Sequence, residues 1–284
     1  MPETLRLACL QVNAGNDMAA NIATASELAR AAAKGGAQFI LTPENVAMMA
    51  AGGKEVRAKA QPEETHEALA AFRAVSRETK TWFLVGSLAC ALPNGKVANR
   101  SFLLDPQGHT VARYDKIHMF DVDLPSGESY RESANYDAGA EAIMADMPWG
   151  RIGLSICYDL RFPYLYRAMA KHGAVMLTVP SAFTRVTGEA HWHVLLRARA
   201  IETGCFVLAP AMTGEHPAGR KTYGHSLVVA PWGEVLADGG ADVGVVFADL
   251  DLGAVATARA SVPSLKHDRG YTPPTVFRPA SAGR

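Results

Sequence analysis

The chain has 284 residues, of which 49% are hydrophobic and 20% charged, and its 28 basic side chains balance 28 acidic ones. That composition supports a sizeable core and argues against disorder. The zero net charge removes the basic footprint of a nucleic-acid binder.

The first residues, Met1-Pro-Glu-Thr-Leu-Arg6, lack a basic segment leading into a long apolar run, so no signal peptide is expected. No run of roughly eighteen apolar residues occurs, so no membrane-spanning helix is expected either. The spacing predicts a strand over 5–12 and an alanine-rich amphipathic helix over 18–34, closed by Gly35-Gly36. A short strand follows over 38–42, then a helix over 63–80 after Pro62. Strands over 82–89, 99–104 and 110–116 are joined by turns at Pro93-Asn-Gly95 and Pro106-Gln-Gly108. Residues 117–140 read as a long polar loop, and loops of that length in a compact domain are functional or disordered.

A strand then runs to Cys157, followed by a helix over 164–172 and a strand over 175–179. After another loop come a helix over 189–203 and strands over 205–210, 225–230, 234–237 and 245–251. The tail, 260–284, is rich in Pro, Ser and Arg and is expected on the surface of a single domain spanning 1–284. Strands and helices in this order predict mixed sheets with helices packed on them. Residues 102–112 and 227–237 share one pattern: apolar strand, Pro-x-Gly turn, apolar strand. The echo reflects either two related halves or merely the frequency of such hairpins.

The four cysteines, Cys9, Cys90, Cys157 and Cys205, form no C-x-x-C pair, so neither a zinc ribbon nor a redox motif is supported. A reduced, cytoplasmic protein fits them best. Cys9, Cys90 and Cys205 lie inside apolar runs and read as core. Cys157 ends a strand in Arg151-Ile-Gly-Leu-Ser-Ile-Cys-Tyr-Asp-Leu-Arg-Phe-Pro163, just before a helix. A helix N-terminus there would favour the thiolate. The plainer alternative is a small buried hydrophobe.

Glu44 and Lys116 also end strands, in Thr-Pro-Glu44-Asn and Tyr-Asp-Lys116-Ile. Each alone is more often a solvated charge at a strand end. Together with Cys157 they supply what amide hydrolysis requires. A carboxylate takes the thiol proton, and an ammonium with a backbone N–H stabilises the oxyanion. The carboxylate then returns a proton to the leaving amine.

On these three motifs the chain resembles the nitrilase superfamily of carbon–nitrogen hydrolases, over about residues 5–270. The resemblance implies a four-layer α-β-β-α sandwich and a Glu44–Lys116–Cys157 triad with no metal or cofactor. It also implies a homodimer or higher homo-oligomer joined through helices near the site. It points to Glu132, in Tyr-Arg-Glu-Ser, as a second glutamate that orients the lysine and the substrate amide, with Glu128 as the competitor. It favours substrate contacts from Tyr158, Arg161 and Thr187. For Arg161 the alternative is an ion pair with Asp159 or another helix-end acid.

Cys157-Tyr158-Asp159, where nitrile-cleaving members typically carry Cys-Trp-Glu, looks like the amidase branches. Pro180-Ser-Ala-Phe183 and the run from Arg197 to Thr203 resemble the Nit proteins. Glu189 and His193 depart from that branch's Gly-Pro-Ala-His-Trp-Glu. The implied activity is hydrolysis of a small carboxylate-bearing amide, such as deaminated glutathione or an ω-amide, through a cysteine thioester with release of ammonia. The alternatives are an N-carbamoyl-amine amidohydrolase, a general aliphatic amidase, or a non-catalytic scaffold. His191 and His193 stand two apart on a predicted helix and so cannot share one metal ion. Arg197, Arg199 and Glu202 are expected to form an ion network, and Gly224-His225-Ser226 to support the pocket from beneath. Neither nucleic acid nor membrane is expected as a partner.

Overall fold

The computed structural model describes residues 2–124 and 127–276. The chain opens with β1 (Thr4–Gln11), α1 (Met18–Lys34), β2 (Phe39–Leu41), α2 (Gly53–Lys59) and α3 (Glu67–Thr79). It continues with β3 (Trp82–Ala91), β4 (Val97–Leu104) and β5 (Thr110–Asp115). Three short strands follow: β6 (Asp121–Asp123), β7 (Ser129–Arg131) and β8 (Tyr136–Asp137).

The second half comprises β9 (Met144–Met147), β10 (Gly150–Gly153), α4 (Pro163–Lys171), β11 (Ala174–Thr178), α5 (Arg185–Thr203) and β12 (Phe206–Ala209). A small hairpin, β13 (Thr213–Glu215) and β14 (Lys221–Tyr223), precedes β15 (Leu227–Val229), β16 (Val235–Asp238), β17 (Gly244–Asp251) and α6 (Gly253–Ser261).

Two large sheets result. The first has the order β17-β1-β2-β3-β4-β5, with β8 added beside β4, and the second β16-β15-β12-β11-β10-β9. In the first, β1, β2 and β3 are parallel and the flanking strands antiparallel. In the second, β10, β11 and β12 are parallel and flanked in the same way. The two Pro-x-Gly hairpins are the matching edges, β4–β5 and β15–β16. The sequence echo is therefore part of a repeat that extends through both sheets.

Strand alternation explains the layering. Leu5, Leu7 and Cys9 of β1 share a core with residues of the second sheet such as Ile152 and Met176. Ala8 and Leu10 point the other way, into a core with Ala25, Ala29 and Ala32 of α1 and Phe72 of α3. The small residues of α1 let it lie close to the sheet. Asp17 caps α1 by accepting from the Ala20 amide at 3.1 Å, and Gly35 closes it. Helices α4 and α5 pack on the second sheet. The result is the four-layer α-β-β-α order.

Several predicted elements are corrected. The helix expected over 63–80 is a 3-10 turn, Glu63–Thr65, followed by α3. There Gln61 Oε1 takes the Glu67 amide at 2.8 Å and starts a new helix. The supposed loop 117–140 carries β6, β7, β8 and a 3-10 turn, Glu132–Ala134. Helix α5 begins at Arg185, four residues before the expected start, so Thr187 lies in its first turn and not in a loop. Gly188 hid this start, yet a Cβ there would meet Tyr223 at 2.3 Å, so the glycine serves close packing. Helix α2 buries no residue and left no amphipathic signal.

Tail residues 266–276 are exposed, and 277–284 lie outside the described residues. Among the described residues no helix is long and apolar enough to cross a membrane.

Candidate active site

Glu44, Lys116 and Cys157 follow β2, β5 and β10, and their side chains converge on one cavity of about 590 Å³. Two close approaches shape the Glu44 corner. Gly86 lies where a Cβ would meet the Thr42 carbonyl oxygen at 2.0 Å, and the Asn45 amide donates to Ser87 Oγ at 2.9 Å. Asn45 itself takes φ 55°.

Cys157 has φ 48°, a left-handed conformation that costs a non-glycine residue energy. Its amide donates to the Pro180 carbonyl at 3.0 Å, which pins the corner. The 3-10 turn Cys157–Arg161 begins there, and α4 follows two residues later.

The polar centre is nearly dry. Glu44, Lys116 and Cys157 are 3%, 1% and 6% exposed. Lys116 Nζ donates to Glu44 Oε1 at 2.9 Å and to the two oxygens of Glu132 at 3.0 and 2.9 Å. Asn99 Nδ2 reaches Glu44 Oε1 at 2.9 Å and Glu132 Oε1 at 3.2 Å. The Ala182 amide holds Glu44 Oε2 at 2.9 Å, and the Phe120 amide holds Glu132 Oε2 at 2.7 Å. An ammonium thus sits between two carboxylates whose remaining lone pairs are also satisfied.

Burial works against the Glu44 charge, but the Lys116 ammonium and the hydrogen bonds from Lys116 and Ala182 outweigh it and hold the carboxyl below its usual range. Burial likewise opposes the Lys116 charge, and Glu132 and Glu44 overcome it, so the ammonium persists well above the ordinary lysine value. For Cys157, burial pushes the thiol up, and the Glu44 charge adds to this against the counter-pull of Lys116. The helix start was expected to favour the thiolate. Desolvation and a facing carboxylate win, so the resting group is the thiol.

Residues 6–260 match the profile of the carbon–nitrogen hydrolase family. The chain belongs to the carbon–nitrogen hydrolase family. It is 40% identical over 271 residues to the deaminated glutathione amidase of Synechocystis sp., covering 92% of this chain and 96% of that one. It is 39% identical over 266 residues to the protein of the same name from Yersinia enterocolitica, covering 93% and 92%. Among solved structures, the NitFhit protein of C. elegans superposes with a TM-score of 0.88 at 38% identity, covering 94% of this chain and 65% of that one. The fold is accordingly the nitrilase-type sandwich, and the protein is an amide hydrolase.

The other expected residues fall unevenly around this hydrolase's cavity. Glu128, Glu132, Tyr158 and Thr187 line it, and Arg161 does not. The Arg161 guanidinium lies over the rings of Tyr158 and Phe183, 5.8 and 5.3 Å from their centroids, and near His191 Nδ1 at 3.4 Å. It stands behind the wall and makes no pair with Asp159. That carboxylate is taken by Tyr114, His118 and the Ile156 amide. Thr187 Oγ1 shares a 2.8 Å hydrogen bond with Thr184 Oγ1.

Sequence reading missed Arg131 and Arg220, two cations in the cavity wall. Arg220 sits in the segment between β13 and β14, whose Gly and Pro content reads as any surface loop. Arg199 pairs with Glu202 at 3.0 Å, whereas Arg197 donates instead to the Gly233 carbonyl. The expected support role of Gly224-His225-Ser226 has a structural counterpart: Trp192 donates to the His225 carbonyl and Ala211 to Ser226 Oγ.

His191 and His193 do point apart. His193 and His225 each bond one oxygen of Asp238, at 3.0 and 2.8 Å, and none of the three lines the cavity. These three could hold a metal ion, since their ligating atoms lie within 4.8 Å of one another.

Proposed function

We propose that the protein hydrolyses a small carboxylate-bearing amide through a Cys157 thioester, with deaminated glutathione as the first substrate and ω-amides such as α-ketoglutaramate next. The observation that carries this reading is the buried Glu44–Lys116–Glu132 cluster facing the Cys157 thiol. Glu44 takes the thiol proton as sulfur bonds to the amide carbon. Lys116 Nζ and a backbone N–H of the turn that starts at Cys157 receive the oxyanion. The C–N bond breaks as Glu44 passes the proton to the amine. Water, deprotonated by Glu44, then adds to the thioester. The C–S bond breaks, the acid leaves, and the proton returns to the thiol. Glu132 holds Lys116 in place throughout.

Release of ammonia, expected from the sequence, applies only to primary amides. Both amides of deaminated glutathione are secondary, so its leaving group carries a chain of its own. Tyr158, Thr187 and Arg161 are assigned to the acyl side, with Arg161 reaching a carboxylate after a change of rotamer. Four separated free cysteines and the lack of a membrane-crossing helix among the described residues support a cytoplasmic setting. Exposed Val194 and Ile201 on α5, 67% and 54% accessible, support a homodimer through that helix. The activity test is hydrolysis of deaminated glutathione, α-ketoglutaramate, butyramide and a ureido acid. Turnover of the first two supports the reading. Preference for butyramide favours a general aliphatic amidase, and turnover of the ureido acid alone favours a carbamoyl amidohydrolase.

A further inference from the structure

Charge accounting inside the cavity isolates one group. Lys116 is paired with both Glu44 and Glu132, so that cluster keeps one surplus negative charge, which Arg220 faces without a direct contact. Arg131 grips both oxygens of Asp123 at 2.8 Å and also donates to the Val122 and Tyr130 carbonyls. Arg220 has no carboxylate within 4.0 Å among the described residues. It is half-buried, and its Nε is enclosed without any hydrogen-bond partner. A guanidinium with a dry, unpaired N–H in a cavity wall is costly unless something anionic arrives to meet it.

Its position says where that anion belongs. Arg220 Nη2 donates to the Ala182 carbonyl at 2.8 Å, and the amide of the same Ala182 donates to Glu44 Oε2 at 2.9 Å. Arg220 therefore stands on the Glu44 wall, close enough that its charge helps hold that carboxyl low. The guanidinium is also laid over the Tyr130 ring, 5.3 Å from the centroid, which fixes its plane. Arg161 lies elsewhere, behind Tyr158 and Phe183. Glu44 is the group that hands a proton to the departing amine, so the amine side of the scissile bond is the Arg220 side.

We propose that Arg220 is a specificity residue that binds a carboxylate carried by the leaving amine. The preferred substrates are then amides whose amine portion is an amino acid or short peptide with a free carboxylate. This inference rests on the amidase reading above and divides its substrate between two guanidinium groups. Deaminated glutathione has the required form, with one carboxylate on the acyl portion and one on the glycine of the departing dipeptide. α-Ketoglutaramate carries the first and lacks the second.

The test compares substrates that share an acyl group. Initial rates are measured for deaminated glutathione, its glycine monoester and α-ketoglutaramate, on wild type, Arg220→Gln and Arg220→Lys. Released α-keto acid is the common readout. Arg220→Gln should lower kcat/KM for deaminated glutathione by roughly ten- to a hundred-fold, the loss expected of one charge-assisted contact. It should act through KM, and the loss on deaminated glutathione should exceed that on α-ketoglutaramate by roughly tenfold or more, because any effect through Glu44 is common to both and only the former carries the second carboxylate. Arg220→Lys, which keeps charge but loses the planar fork, should fall between. Wild type alone should already discriminate against the glycine monoester, a result that needs no variant to fold. Equal losses on deaminated glutathione and α-ketoglutaramate, or indifference of wild type to esterification, overturns the inference alone. Wild type inactive on both acids overturns the amidase reading and the inference with it.

Discussion

Tyr114 donates its hydroxyl proton to Asp159 Oδ2 at 2.6 Å, and both residues are buried. Tyr114 stands two positions before Lys116 and Asp159 two after Cys157. One hydrogen bond thus ties the strand of the first sheet that presents the ammonium to the turn of the second that presents the thiol. Asp159 also takes the Ile156 amide at 2.9 Å and the His118 amide at 3.0 Å. Tyr114→Phe removes one donor from a buried carboxylate. The expected cost is about 1–3 kcal/mol in urea unfolding, with a fall in kcat larger than any change in KM. Unchanged stability and rate would show that the remaining donors hold the register alone.

Cys157 should be the cysteine whose alkylation tracks loss of activity, and Cys157→Ala should be inactive. Cys9, Cys90 and Cys205 are buried away from the cavity, whereas Cys157 lines it beside Glu44. Peptide mapping after partial iodoacetamide treatment checks the order of labelling. Full activity in Cys157→Ala removes the nucleophile assignment.

Glu44 and Lys116 should act as one unit with Cys157. Glu44→Gln and Lys116→Met should each cost several decades in kcat, and the double variant little more than the worse single. Lys116→Met also leaves two buried carboxylates without their cation, which should destabilise the fold by about 3–5 kcal/mol. Additive kinetic losses would point to independent roles.

The pH behaviour follows from the shift directions. Glu44 is depressed below its ordinary 4.5, so its contribution to stability is present above that value and lost as pH falls through the folded one. Lys116 is raised above its ordinary 10.5, so its contribution is complete below that value and lost only as pH rises past the folded one. The kcat/KM profile should therefore be flat through the neutral range, with no break near the ordinary thiol value of 9.0, because the resting thiol is pushed above it. A rise in rate centred there would mean a free thiolate is the reacting form.

Glu132→Gln should keep the fold and suppress turnover, while Glu128→Gln should be nearly silent. Glu132 touches Lys116 with both oxygens, whereas Glu128 accepts from the Tyr130 hydroxyl at 3.3 Å. Steady-state kinetics with a melting curve for each variant separates the two, and the reverse pattern would reassign the role.

Much of the site was legible because Glu44, Lys116 and Cys157 each close a strand, and strand ends of one sandwich meet at one rim. Glu132 was legible only through resemblance, since a glutamate in a polar loop carries no periodic signal. Arg220 was not legible at all. Its significance comes from what is missing around it in space, an acid partner, and pairing across a fold leaves no trace in spacing. Thr187 was misplaced because Gly188 reads as a helix breaker, while the structure uses it to admit Tyr223. The thiolate expectation failed for a related reason: helix position is visible in a sequence, and the dryness of a pocket is not.

The matched sheets have a consequence for synthesis. All six strands of the second sheet lie between Met144 and Asp238, so that sheet can form as one contiguous stretch. The first sheet cannot. Its edge strand β17 is made more than a hundred residues after β5, and until it arrives β1 presents an open, strongly apolar edge. An exposed edge of this kind invites pairing with other chains. The nascent chain is thus most vulnerable to aggregation until β17 emerges, and chaperone protection matters most in that interval.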